Sequence, residues 1–245
     1  MLPTTNSKAL QTLSQLFRLF LSGCVLFFLP FTAAAADTDT VRVGLTTTDY
    51  KPYWKITADR IEGLVVDQLH QIFEGSEFQL KIIPVPRKRI EQAFNEGDID
   101  IRISDIRWLD DSHRYHASDV FMQLDDVYWS RNIKYLPYPT KACAVLGFVY
   151  SAEFDRKITD GSFIRVNVTH PTQAFQMLAY NRCDIAIADS RLGRHIVERD
   201  NLQGKVKQLN WKDRTWALRF IAQPTEKGLR LINLINRNLN EQPMR

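Results

Sequence analysis

The sequence lacks several features that mark whole classes of protein. It has three cysteines, ten glycines and ten prolines in 245 residues, and 24% of its residues are charged. These proportions exclude a dense disulfide scaffold, a collagen-like chain and a low-complexity disordered segment. The sequence also contains no zinc-type Cys/His spacing, P-loop, GxGxxG, HExxH or nucleophile elbow. We therefore expect no metal, no cofactor and no enzymatic activity.

A strong charge of one sign is also missing. Lys and Arg number 32, and Asp and Glu number 28. The first 36 residues hold two of the bases and none of the acids, which leaves 30 bases against 28 acids in the rest. A nearly neutral chain lacks the excess of basic residues that binds the phosphates of a nucleic acid. We expect a small molecule as its ligand.

Residues 1–36 have the pattern of a secretory signal peptide. A basic stretch ending at Arg18 precedes an apolar run over residues 19–30, and alanines 33–36 follow. This run is shorter than the roughly 20 apolar residues of a membrane-spanning helix, and the alanines suit cleavage. We predict an exported protein cleaved after Ala36. Cys24 ends a lipobox-like Leu-Ser-Gly-Cys, but the apolar run continues beyond it, which disfavours a lipoprotein.

The rest of the sequence alternates between strand and helix patterns. Residues 41–45, 78–85 and 99–103 have the character of strands, and the helical spacing of apolar residues lies between them at 63–73 and 87–95. The same order recurs after the middle of the chain. Alternating β-α-β-α-β runs form parallel sheets with helices on their faces. We predict an α/β fold with two Rossmann-like lobes and a ligand cleft between them.

Two extended segments connect the predicted lobes, one leading out and one leading back. We assign residues 37–126 and 217–245 to lobe one, 135–211 to lobe two, and 127–134 and 212–216 to the hinge region. Ligands of open parallel sheets bind beyond the carboxyl ends of the strands, which places the ligand between the lobes. Such lobes close around a solute by a hinge motion.

The two cysteines that follow the signal peptide, Cys143 and Cys183, have two interpretations. An exported protein permits a disulfide. Free cysteines, however, are also common as small buried core residues. The sequence leaves both open.

Short motifs follow one another along the chain in a recognisable order. They are Val-Arg-Val-Gly at 41–44, Tyr-Lys-Pro-Tyr at 50–53, Gly-Leu-Val-Val-Asp at 63–67, Pro-Val-Pro-Arg-Lys-Arg at 84–89 leading to Asn-Glu-Gly-Asp-Ile-Asp at 95–100, Ser-Asp at 118–119, and Asn-Arg-Cys-Asp-Ile-Ala-Ile-Ala-Asp at 181–189. Together they resemble the extracytoplasmic solute-binding proteins of the polar amino acid family, which have the type 2 periplasmic-binding fold.

The resemblance implies a periplasmic, monomeric receptor for an amino acid or a related amine or carboxylate. Its partner would be an ABC permease or a membrane sensor. An alternative on the same fold is a hydro-lyase of the cyclohexadienyl dehydratase type. One departure concerns the ligand: amino-acid binders usually carry an arginine about seven residues before the serine of their "F-S-x-P" turn. Asp111 stands there, between Arg107 and Arg114.

Eight residues are expected at the cleft, because they follow strands predicted to end there or match binding positions of the family. They are Tyr50, Tyr53, Arg89, Ser104, Arg107, Arg114, Thr169 and Asp189. An arginine presents a fork of donors that fits a carboxylate, and aromatic rings receive apolar groups or cations. Asp189 is expected to pair with a ligand ammonium. Its alternative role is the N-cap of the helix that follows it.

Overall fold

The structure, a computed structural model, describes residues 39–131 and 134–241, and its helices and strands alternate as the sequence predicts. The strands are β1 (Asp39–Thr46), β2 (Lys55–Ile56), β3 (Ile61–Glu62), β4 (Phe78–Val85), β5 (Ile101–Asp105), β6 (His116–Ala117), β7 (Met122–Ser130), β8 (Thr140–Val145), β9 (Phe163–Val168), β10 (Ile185–Asp189) and β11 (Lys207–Ala222). The helices are α1 (Leu64–Phe73), α2 (Ile90–Asn95), α3 (Ala152–Thr159), α4 (Pro171–Ala179), α5 (Ser190–Arg199) and α6 (Glu226–Glu241). The predicted signal peptide lies outside the described residues.

Within the described residues, nine of these strands form one continuous sheet in the order β4-β1-β5-β11-β7-β10-β8-β9, with β6 beside β11. Strands β4 and β5 run parallel to β1, which lies between them, and β9 and β10 run parallel to β8. Strands β7 and β11 run antiparallel to each other, and β11 is also antiparallel to β5 and β7 to β10. Two parallel groups therefore flank a central antiparallel pair. Each group is a β-α-β-α-β unit, and the predicted α/β fold with two lobes is confirmed.

Strands β7 and β11 are the two segments that connect the lobes. They pair with each other from Met122 and Leu218 at one end to Ser130 and Lys207 at the other. The register shifts on either side of Lys212. Such irregularities bend a strand and increase its twist. The predicted hinge residues 127–134 and 212–216 include this point, and these boundaries remain a prediction.

The helix starts that face the cleft follow local rules. Helix α3 begins after Ser151, whose hydroxyl accepts the Phe154 N–H, and α4 begins with Pro171 at its first turn. A side-chain acceptor at the N-cap satisfies an orphan N–H, and proline lacks the donor that would be left unpaired there. The cap of α4 is the imidazole of His170, whose Nδ1 accepts the Thr172 N–H at 3.1 Å. These caps fix the first residues of α3 and α4. They thereby fix the loops that precede the two helices and approach lobe one.

Cys143 on β8 and Cys183 before β10 form a disulfide, with Cα atoms 5.8 Å apart. The sequence leaves open a disulfide and two free buried thiols, and the structure contains the disulfide. Both residues are buried in the main apolar core, which also includes Val145 and Phe175. No helix in the described parts of the chain has the length and apolar character needed to cross a membrane.

Candidate functional site

The candidate site is the cleft where the carboxyl ends of the lobe-one strands face those of lobe two. Among the contacts that cross it are three hydrogen bonds made by the side chains of Tyr53, Arg87 and His170. The Tyr53 hydroxyl donates to the Asp189 carboxylate, and the Arg87 guanidinium donates to the Gly147 carbonyl at 3.1 Å. His170 Nε2 lies 2.8 Å from the carbonyl oxygen of Asp49. Because His170 Nδ1 accepts a hydrogen bond, the proton is on Nε2, which donates to Asp49. The two lobes therefore touch.

Asp189, the predicted partner of a ligand ammonium, is 2% exposed and already has protein donors on both carboxylate oxygens. Its Oδ1 accepts the N–H groups of Arg191 and Leu192, each at 3.0 Å, as well as the Tyr53 hydroxyl. Its Oδ2 accepts the Asp125 N–H at 3.1 Å. The alternative role that the sequence offered, the N-cap of α5, is therefore present. Asp189 also joins three separate segments.

The two predicted tyrosines differ in exposure. Tyr53 is fully buried, and burial, followed by the charge of Asp189, raises its pKa, which keeps the hydroxyl protonated as the donor to that carboxylate. Tyr50 is half-buried, with its ring 5.7 Å from that of Tyr53 and 5.1 Å from that of Trp54. Burial raises its pKa too, with contributions from Asp126 and Asp189. Tyr50 is therefore the better placed of the two to touch a ligand.

Arg107 and Ser104 are occupied by contacts within lobe one and the connecting strand. Arg107 Nε lies 2.8 Å from Asp105 Oδ1, and its Nη2 donates both to Asp105 Oδ2 and to the Thr215 carbonyl. Burial opposes ionisation of Asp105, but hydrogen bonds from Arg107 outweigh it and hold its pKa below the usual value. Ser104 is fully buried, and its hydroxyl donates to the Asp105 carbonyl at 3.1 Å. The fork predicted for a ligand carboxylate thus binds a carboxylate of the chain.

The remaining three predicted residues are exposed and are not brought together. Arg89 lines a groove of about 200 Å³ on lobe one with Gln92 and Glu96. The Arg114 guanidinium carbon lies 6.0 Å from the ring centre of Tyr115, its neighbour in the chain. Thr169 Oγ1 lies 3.1 Å from Gln173 Oε1 in the first turn of α4. Their contact with a ligand remains a prediction.

The structure brings two further charged residues to the cleft that sequence reasoning did not select. Arg87 extends from the end of β4, with its guanidinium carbon 4.3 Å from the ring centre of Phe148 in lobe two. Arg87 is exposed by its accessible surface, but its closeness to lobe two desolvates the guanidinium and lowers its pKa, and the groups that oppose this effect are Tyr50 and Tyr150. Within the described residues, Arg87 has no ion pair with a carboxylate. The sequence feature that could have identified Arg87 is its position directly after Pro86, at the carboxyl end of a strand.

Asp126 is the second residue that the sequence analysis missed. It lies on β7 and accepts a hydrogen bond from Trp216 Nε1 at 2.5 Å. Burial raises the pKa of Asp126 to about 7, although the hydrogen bond from Trp216 acts to lower it. Repulsion from Asp189 and Asp213 adds to the upward shift. The available signal was a pair of acids, Asp125-Asp126, inside the largely apolar segment that connects the lobes. Among the described residues no cluster of His, Cys, Asp and Glu is suited to a metal ion.

Comparisons with known proteins identify the fold. No family model matches the sequence, and no curated protein matches it. A histidine kinase sensor domain with similarity to periplasmic binding proteins is 16% identical with a TM-score of 0.67, covering 84% of this chain and 91% of that chain. An ancestral arginine-binding protein bound to arginine is 18% identical with a TM-score of 0.65, covering 82% and 91%.

A third solved structure is the ancestral amino acid-binding protein AncCDT-1, a precursor of cyclohexadienyl dehydratase. It is 19% identical to this chain with a TM-score of 0.61, and the match covers 82% of this chain and 88% of that one. Likeness at this level of identity shows the fold alone. The chain has the two-lobed type 2 fold of periplasmic binding proteins.

Proposed function

We propose that the chain is an exported receptor whose two lobes close around a small polar solute, namely an amino acid or a related amine or carboxylate. The observation that carries this proposal is the set of three side-chain contacts across the cleft, made by Tyr53, Arg87 and His170. Each joins one lobe to the other, so each must break when the lobes separate. A cleft closed by polar contacts suits a solute that enters when the lobes open.

The likeness to proteins of stated ligand supports the class of solute. One similar structure is an arginine-binding protein bound to arginine, and another is an amino acid-binding protein. A third is a sensor domain of a histidine kinase. We propose that the protein is a periplasmic monomer. Its ligand-bound form contacts a membrane partner, either an ABC permease or a sensor.

A thermal-shift screen of the exported protein tests the receptor function. The panel holds the standard amino acids, simple amines and small carboxylates. A ligand at 100 times its dissociation constant stabilises the folded state by about 2.7 kcal/mol, since it binds the folded state alone. For a chain of this size we expect the melting temperature to rise by roughly 5 to 10 °C. A flat response to every solute would contradict the proposal.

A second candidate function is a hydro-lyase on the same fold, and Asp126 is the observation that favours it. A carboxyl group with a pKa of about 7 beside a cleft has the protonation balance of a general acid at neutral pH. Incubation with prephenate or arogenate, followed by mass spectrometry, separates the two functions. An enzyme would convert the substrate to its aromatic product with loss of water and carbon dioxide, and Asp126→Asn would abolish this turnover. A receptor would return the compound unchanged.

A further inference from the structure

The face of lobe one that α2 covers carries two arginines whose charges the chain leaves without a counterion. Within the described residues, four buried side-chain nitrogens have no hydrogen-bond partner. Two of the four are the Nε atoms of Arg102 and Arg219, and the other two belong to Gln68 and His195. A buried polar group without a partner is costly, and a charged one more so. The two arginines therefore need a physical explanation.

The register of the sheet makes these two arginines neighbours. Arg102 of β5 lies opposite Ile221 of β11, and Arg219 of β11 lies opposite Ser104 of β5. Opposed positions of antiparallel strands share one face of the sheet, as do positions two apart on one strand. Both arginines therefore project from the same face. They occupy diagonal positions about 7 to 8 Å apart, a separation that long side chains span, so one small ligand can contact both guanidinium groups.

Helix α2 packs on this face and holds Arg102 by an aromatic ring. Ile221, which lies opposite Arg102, belongs to the apolar cluster that contains Phe94 of α2. The Arg102 guanidinium carbon lies 5.7 Å from the centre of the Phe94 ring. Burial lowers the pKa of Arg102, as expected for a guanidinium that is removed from water without a bound counterion. The helix thus positions this charge and supplies no acceptor for it.

Both arginines keep donors free for a ligand. Arg102 is half-buried, and among the described residues its side chain has neither a hydrogen-bond acceptor nor an ion pair. Arg219 is also half-buried, and its Nη1 donates to the Ser118 carbonyl. In each guanidinium the buried nitrogen without a partner is Nε, so the remaining free donors are reached from the surface. Since a guanidinium carries five N–H donors, most donors of the pair are available.

The acids near the pair do not neutralise it. Glu91 of α2 acts on Arg102 electrostatically, but it is exposed and forms no ion pair with Arg102 in the described part of the chain. Asp119 follows Ser118 and is exposed as well. The contact described for Asp119 is made by its backbone N–H, which donates to Asn236 Oδ1 at 2.8 Å. Two positive charges therefore share one face without a bound carboxylate.

We propose that Arg102 and Arg219 form a second binding site, which takes a small, doubly charged oxyanion of the phosphate or sulfate class between the two guanidinium groups. Such an anion matches both positive charges, and its several oxygens accept hydrogen bonds from both forks of donors at once. The site lies on the face of the lobe-one sheet beside α2, whereas the cleft lies at the carboxyl ends of the strands. The inference is therefore independent of the solute that the cleft binds.

Titration calorimetry of the exported protein at pH 8 tests this site with inorganic phosphate, sulfate, acetate and glycerol phosphate. Sodium chloride holds the ionic strength constant, so that charge screening is the same in every titration. The variants are Arg102→Met and Arg219→Met, and Arg237→Met is the matched control. Arg237 is exposed on α6, and its replacement changes the net charge by the same amount. Arg87→Met reports on an anion that is bound in the cleft instead.

We expect phosphate and sulfate to bind at one site, at least about tenfold more tightly than the singly charged acetate. Arg102→Met and Arg219→Met should each weaken both ions at least about tenfold, because each removes charged hydrogen bonds. Arg237→Met and Arg87→Met should bind as the unsubstituted protein does. Without an anion, Arg102→Met should melt no lower than the unsubstituted protein, since methionine removes a buried unpaired charge. Glu91→Gln should tighten phosphate binding, because it removes a competing negative charge.

Three results would overturn the inference. If neither phosphate nor sulfate bound the unsubstituted protein, the two arginines would not form an anion site. If binding survived Arg102→Met and Arg219→Met, or was lost in Arg87→Met, the anion would be held elsewhere. If glycerol phosphate bound and inorganic phosphate did not, the ligand would be a phosphate ester or a lipid headgroup rather than a free anion. The receptor function is tested by its own screen and stands or falls apart from these results.

Discussion

Replacing Asp189 by alanine is expected to lower the free energy of unfolding by about 3 to 5 kcal/mol in the absence of any ligand. The substitution removes the N-cap of α5 and leaves the N–H groups of Arg191, Leu192 and Asp125 without their acceptor. It also leaves the buried Tyr53 hydroxyl unpaired. A lost cap costs about 1 kcal/mol, and each buried polar group left unsatisfied costs about 1 to 3 kcal/mol.

Urea unfolding of Asp189→Ala measures this loss, and Asp160→Ala is the matched control. Asp160 also accepts a backbone N–H, that of Ser162 at 2.9 Å, but it does so on the surface. We expect a much smaller effect there, because water replaces the lost acceptor. If Asp189→Ala were as stable as the original protein, the structural role of Asp189 would be wrong. If Asp189→Ala also lost its response to a ligand, the lower stability of the fold would explain that loss. The loss would therefore not show that Asp189 pairs with a ligand ammonium.

Replacing Asp126 by asparagine is expected to stabilise the ligand-free protein at pH 8. The folded state raises the pKa of this carboxyl from 3.8 to about 7. Between these two values the folded state binds a proton that the unfolded state has lost, so the stability contributed by Asp126 falls as the pH rises towards 7. Asparagine does not titrate, and its side-chain oxygen still accepts from Trp216. The stability gain should therefore be about 2 to 3 kcal/mol larger at pH 8 than at pH 5.

The neighbouring acid gives the control for this prediction, since its expected change has the opposite sign. Hydrogen bonds from Lys212 and Thr215 lower the pKa of Asp125, so its ionised form stabilises the folded state above the ordinary carboxyl range. Asp125→Asn should be less stable than the original protein at pH 8. Urea unfolding at the two pH values compares the variants. A gain for Asp126→Asn that does not change with pH would contradict the assigned ionisation.

The architecture could be predicted because it depends on local patterns. Alternating strand and helix periods along residues 41–103 and again after residue 140 are sufficient for two β-α-β-α-β units, and the structure has both. Strand β11 shows the limit of such patterns. Its second half is apolar and was predicted at residues 216–222, but its first half is polar and largely exposed. The pairing that makes this half a strand comes from β7, which is far away in the chain.

The candidate site was less predictable, because its contacts join distant segments. Asp189 was predicted to follow the last strand of lobe two and is the last residue of β10, but its contact with Tyr53 joins residues 136 positions apart. Arg87 and Gly147 are 60 positions apart, and Asp126 and Trp216 are 90 apart. Sequence can identify residues that follow strands. Which of them face one another, and which are already paired, depends on how the lobes meet.

The disulfide between Cys143 and Cys183 has a consequence for the motion of the protein. Its loop runs from β8 to the residue before β10, on one side of the β7–β11 pair, so this disulfide does not tie the two halves of the cleft together. Oxidation therefore stiffens the half that contains α3 and α4 and adds no barrier to opening. Loss of the disulfide is therefore expected to lower the stability of that half and to leave the β7–β11 connection between the halves unchanged.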